Sequence, residues 1–164
     1  MQVGHVAVAF IVSSFAPELT GGRVAAFSME SIIVSFVAHW LPNFDVVPIW
    51  LKIAKDSFHC TWSHSLLFVA AVGLILLPIN VGWASLAVAS LIIHLMADMP
   101  SSVGLPILMP WRKRFTINLW ADTGHSGWVA FSGTYMQAWT WFLEGGAFVV
   151  LFVRAYQEMV WPFI

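Results

Sequence analysis

The chain has 164 residues, of which 60% are hydrophobic and only 9% charged, against about 25% charged in ordinary soluble domains. Its net charge of -1 gives no basic footprint for nucleic acid, and its single cysteine, Cys60, excludes an intrachain disulfide. The composition predicts an all-α polytopic membrane protein, one integral membrane domain over 1–164, with about four to five transmembrane or membrane-embedded helices.

The first apolar segment runs from Gln2 to Phe15, short for a full span, and is broken by Pro17 and Gly21-Gly22. It lacks the cationic start and small-residue cleavage site of a signal peptide, so it reads as a retained helix. The second runs from Val24 to Trp40 and stops at Pro42; the short piece from Val46 to Ile53, flanked by lysines, belongs at the interface. Residues 57–97 contain no Asp, Glu, Lys or Arg. A span needs roughly 20 apolar residues, so this stretch predicts a helical hairpin, Ser65 to Ile79 and Val81 to Ala97, turned at Pro78-Ile79-Asn80. Met99 to Pro110 holds three prolines and cannot be one helix. Being apolar yet irregular, it should pack against protein or headgroups. The last segment runs from Gly127 to Tyr156. The ten Trp and thirteen Phe suit interfacial aromatic belts.

Alternating these segments across a bilayer places His5, His39, His59, His64, His94 and His125 on one side, with Asp45 and Asp98. Lys52, Lys55, Arg112, Lys113 and Arg114 fall on that side, Arg23 and Arg154 on the other. The positive-inside rule then turns the histidine side to the cytoplasm.

His94 and Asp98 are four apart on a helix and share one face, so an imidazole and a carboxylate can bind one metal or bridge two. His59 and His64 are five apart, a spacing that puts His59 in a loop and His64 in the first helical turn, with Thr61 or Ser63 as the cap. Asp45, in a turn after the second helix, can swing a carboxylate over the site; His5 opens the first helix; His39 can be a simple interfacial hydrogen-bonding residue. His125 lies in a glycine-flanked polar segment as a late ligand, a substrate contact or part of a helix-entry loop. The Gly-His-Ser-Gly run there resembles a rhomboid-protease serine motif, but no histidine follows on a later helix. Glu30 and Glu144 are read as the deep carboxylates, structural and paired across helices.

These pieces together resemble the YdjM family of inner-membrane proteins, taken as metal-dependent hydrolases. The family pattern has an early histidine, a Leu-Pro-Asp-x-Asp turn, a His-Arg-x-x-Thr-His-Ser-Leu-Leu block and a His-x-x-x-Asp pair before a Gly- and Pro-containing loop. The matching positions here are His5, the run Leu41 to Asp45, the run His59 to Leu67, and His94 with Asp98, followed by Gly104 and Pro110. They cover about residues 1 to 115. Asn43, Cys60 and Ser63 stand where the pattern has aspartate, arginine and threonine. The first change removes an anionic ligand, and the second a contact for phosphate or carboxylate. A more distant similarity is to zinc-dependent phospholipase C enzymes.

The resemblance implies a divalent metal, zinc by its imidazole-rich donor set, held by His5, Asp45, His64, His94 and Asp98. His59 and His125 would orient ligands, move protons or complete a second metal site. The implied activity is hydrolysis of a phosphoester or lipid-like substrate in a bacterial inner membrane, with membrane lipids as surroundings. The alternatives are a non-catalytic metal-binding or metal-transporting protein and a scaffold whose histidines only hydrogen-bond. Ligands at helix ends rather than along a midplane path favour the enzyme over the transporter.

Overall fold

The structure is a computed structural model that describes residues 2–55, 58–119 and 133–159. Among these residues it contains seven α-helices. The first, α1 (Gln2–Ser14), leads into a one-turn helix, α2 (Ala16–Thr20), which carries Pro17 in its first turn and ends at left-handed Gly21.

The helix α3 (Met29–Trp40) starts later than the apolar pattern predicts. Ser28 adopts an extended conformation and accepts the Ser31 N–H, so capping rather than hydrophobicity sets its first residue. Glu30 is consequently not deep. It sits exposed in the first turn, where it accepts a hydrogen bond from the Trp83 indole. Beyond Trp40 the chain tightens into a 3₁₀ turn, Leu41–Asp45, begun by Pro42, and continues as α4 (Val46–Trp50).

The expected hairpin is present as α5 (Leu66–Leu76) and α6 (Val81–Asp98). Its caps are Ser65, accepting from Phe68, and Asn80, accepting from Trp83. Ser65 thus takes the role predicted for Thr61 or Ser63, because Trp62–His64 form a separate 3₁₀ turn ahead of the helix. Gly73 permits the close approach of the two helices: a Cβ there would lie 2.8 Å from a Val88 methyl. The final helix is α7 (Ala138–Met159).

Three helical stretches, Met29–Trp50, Val81–Asp98 and Ala138–Met159, are long and apolar enough to cross a membrane; α1 and α5 are shorter apolar helices. Their outer faces carry exposed large apolar side chains, including Ile33, Val37, Leu74, Phe148 and Phe152. Such a surface suits lipid and not water. Inside, small residues line the crossings, with Ala7, Ala9, Ser13, Ser31, Ser35, Ala38, Ala87 and Ser90 all buried. Ser13 and Ser31 hydrogen-bond across α1 and α3 at 2.9 Å. Close backbone approach and interhelical hydroxyl bonds are how helices associate where lipid removes the hydrophobic drive.

In this packing α1 touches α3, α6 and α7, while α6 also packs on α2, α3 and α5. One apolar cluster, Val12, Ala16, Val24 and Leu86, lies away from the histidines. Another, Val69, Leu91, Leu95 and Leu105, lies near them and includes Cys60 at its margin. The proline-bearing segment after α6 packs against protein as expected. Leu105 is buried and pairs with Phe115, and the Ile107 carbonyl accepts the Leu66 N–H. Buried Glu144 accepts from the Tyr135 hydroxyl at 2.9 Å, and that hydroxyl accepts the Val3 N–H at 2.7 Å. This chain ties α7 to the first turn of α1, two residues before His5.

Candidate metal centre

The centre is assembled from one end of the bundle. His5 comes from the first turns of α1, His39 from the end of α3, His64 from the 3₁₀ turn before α5, and His94 and Asp98 from the last turns of α6. His39, His64 and His94 are fully buried, and His5 nearly so; Asp98 keeps 22% of its side chain exposed. Burying so many imidazoles in an apolar bundle requires each ring nitrogen to have a reason.

One side is ordered by a carbonyl. The Ser90 backbone oxygen can only accept, so His39 Nδ1, at 3.1 Å, is the donor. In neutral His39 the other nitrogen, Nε2, carries a lone pair and accepts from His5 Nδ1 at 2.8 Å. His5 Nε2 is left with its lone pair 3.3 Å from Asp98 Oδ1.

The other side is ordered by a carboxylate. Asp45 accepts from His59 Nδ1 at 2.5 Å, from the Cys60 N–H at 3.1 Å and from Ser63 Oγ at 2.7 Å. The Ser63 oxygen in turn accepts from His64 Nδ1 at 3.0 Å, with Asp45 Oδ2 3.4 Å from the same nitrogen. His64 Nε2 therefore turns its lone pair inward, 3.4 Å from His94 Nε2 and 3.6 Å from Asp98 Oδ2. His94 Nε2 is 3.2 Å from that same carboxylate oxygen. The buried His94 Nδ1 has no hydrogen-bond partner among the described residues.

Two imidazole nitrogens and a carboxylate thus face one another, joined either by a His94 Nε2 proton or by a cation between them. Ligands about 2.0–2.1 Å from a tetrahedral ion lie roughly 3.3–3.4 Å apart. The separations of 3.2, 3.4 and 3.6 Å among His64, His94 and Asp98 fit that requirement. Where a cation is absent a proton serves. Burial opposes charge on His64, but hydrogen bonds to Asp45 and Asp98 outweigh it and hold its pKa well above the usual imidazole value. At His59 burial is likewise overcome, chiefly by the Asp45 hydrogen bond, and the pKa rises to about 9.

Of the predicted residues, His5, His64, His94 and Asp98 converge. Asp45 stands behind His64, its oxygens engaged by His59, Cys60, Ser63 and His64. His59 sits on Asp45, and His125 lies outside the described residues. Three triads have donor atoms within 4.8 Å of one another: His5, His39 and His94; His59, Cys60 and His64; and His64, His94 and Asp98. Sequence reasoning undervalued His39 and read Ser63 as a helix cap, not as the bridge between Asp45 and His64. Ser31, Ser35 and His39, each four apart and all buried, form a stripe on α3 that marks the inward face of His39.

The description of the YdjM inner membrane protein family matches residues 1–161. The chain belongs to that family. No curated protein and no solved structure matches it. The YdjM match takes in every element that supplies the centre, and continues through α7, beyond the motifs legible in the sequence.

Proposed function

We propose that this YdjM-family protein is a membrane-embedded metal-dependent hydrolase acting on a phosphoester, in a lipid-like substrate at the membrane surface. The observation that carries the reading is the convergence of His64 Nε2, His94 Nε2 and Asp98 Oδ2 at 3.2–3.6 Å spacings, with His5 Nε2 3.3 Å from the other Asp98 oxygen. His64, His94 and Asp98 would hold the ion, with His5 as a further ligand. The imidazole-rich set suits zinc. Such a cation, when bound, supplies Lewis acidity toward a phosphoryl oxygen and toward water.

The protein's own residues supply the rest. Asp45 and Ser63 orient His64, as His39 and the Ser90 carbonyl orient His5. Asp98 is the partly open edge through which a substrate reaches the centre. His59, bonded to Asp45 and partly exposed, is placed to carry a proton between the site and solvent. His125 is the other candidate for that work. Exposed Trp50, Trp62 and Trp111 accompany Lys52, Lys55 and Arg112 to Arg114 on this side. Aromatic residues beside cations suit a headgroup region, and the positive charge favours the cytoplasmic face.

Elemental analysis of detergent-purified protein, with a phosphodiester and lipid substrate panel, tests the reading. Wild type should carry stoichiometric divalent metal and turn over a phosphoester, and His94→Ala and Asp98→Ala should lose the turnover and the ion of this centre. Metal-free wild type, or variants with a full complement, would overturn the site. A stoichiometric ion with no hydrolysis across the panel would replace the enzyme by a metal-binding protein.

A further inference from the structure

Next to the first centre, the turn between α4 and α5 gathers another donor set, of different chemistry. His59, Cys60 and His64 bring two imidazoles and a thiol within 4.8 Å of one another. This turn is tightly organised. Cys60 is left-handed, with φ 54, and Asp45 holds the segment at the His59 ring, the Cys60 amide and the Ser63 hydroxyl. Cys60 is the only cysteine of the chain, so no partner within the chain can take it into a disulfide.

We propose that His59, Cys60 and His64 form a second cation site, thiolate-bearing and suited to a borderline or soft divalent ion such as zinc or cadmium. Thiolate and imidazole donors select such ions over the oxygen-loving magnesium and calcium. On binding, the Cys60 S–H bond is broken, a sulfur–metal bond forms and the proton leaves to solvent. Metal–sulfur and metal–nitrogen distances of about 2.3 and 2.0 Å require donors roughly 3.5 Å apart. The three donors, each within 4.8 Å of the others, need only side-chain movement in a loop to reach that spacing. Three protein ligands leave a fourth position for water or a small ligand. Asp45 is the orienting carboxylate behind the set. Because a neutral His64 has one lone pair and belongs to both triads, the two ions compete for it, and each lowers the affinity of the other by the same factor. The proposal goes beyond the hydrolase reading and stands whether or not the protein has turnover.

Cobalt(II) titration of the full chain in detergent, under reducing conditions, tests it. Any thiolate-to-cobalt charge-transfer absorption must come from Cys60. Wild type should develop this band and saturate it at one thiolate-bound ion per chain. Cys60→Ser should lose it, His59→Ala should weaken the ion giving it at least tenfold, and His94→Ala should keep it. Cadmium should also protect Cys60 from alkylation in folded wild type, a readout that needs no variant. Absence of the band and of cadmium protection in wild type would overturn the second site. So would a band whose affinity is unchanged in His59→Ala, since Cys60 would then bind ions without the cluster. Loss of metal in His94→Ala and Asp98→Ala with no thiolate band would remove this site alone and leave the first standing.

Discussion

Ser63 and Asp45 act on His64 from its Nδ1 side, and so determine which nitrogen it offers to His94 and Asp98. Replacing that carboxylate by an amide keeps the shape and loses the charge that fixes the tautomer. Asp45→Asn should therefore weaken ion affinity by about 10–100-fold, the usual cost of losing an orienting partner. Competition with a chromophoric chelator measures this, with circular dichroism checking that the helices persist. Unchanged affinity would show that His64 is oriented by something else. Single residues were unevenly legible in the sequence. His94 and Asp98 announce themselves by their four-residue spacing. The role of Ser63 depends on a loop conformation that no periodicity encodes, and His39 depends on which helix face turns inward.

Among the elements, the α5–α6 hairpin sets the distance between His64 and His94. Their approach depends on the missing side chain at Gly73, where even a Cβ would come within 2.8 Å of Val88. Val88 is β-branched and stiff. Gly73→Val should therefore force the helices apart and cost about 1–3 kcal/mol, the range for overpacking. Val88→Ala in the same chain should recover much of the loss. Thermal unfolding in detergent reads both, and a Gly73→Val protein as stable as wild type would contradict this packing. The hairpin itself was legible because an uncharged stretch of that length has few other folds. Its boundaries, and the start of α3, were less so. Caps by Ser28, Ser65 and Asn80 decide them, and neighbouring hydroxyls such as Ser63 and Thr61 compete equally well on paper.

At the scale of the whole molecule, the centre joins elements far apart in the chain. α1, α6 and the turn before α5 each supply a convergent donor, and α3 supplies the histidine behind His5. An ion held there binds the folded bundle only and stabilises it by mass action, about 2.7 kcal/mol at one hundred times its dissociation constant. The unfolding temperature should rise with added zinc in wild type and fall on chelation. In Asp98→Ala carrying Cys60→Ser as well, which removes a donor from each proposed site, the same additions should do nothing. A zinc-independent unfolding temperature in wild type would mean the ion bridges nothing that folding assembles. The gathering of histidines at one end followed from reversing apolar segments across a bilayer. Which carboxylate joins them did not. The sequence reading makes both Asp45 and Asp98 ligands, whereas the packing of the Leu41–Asp45 turn on the Trp62–His64 turn sets Asp45 at the Nδ1 side of His64.

The most direct measurement is the location of the ion by anomalous scattering from crystals of zinc-loaded protein. The ion is expected between His64 Nε2, His94 Nε2 and Asp98, about 2.0–2.2 Å from each, with His5 adjacent. Zinc found elsewhere in the bundle, with these side chains joined only by hydrogen bonds to one another, would contradict it.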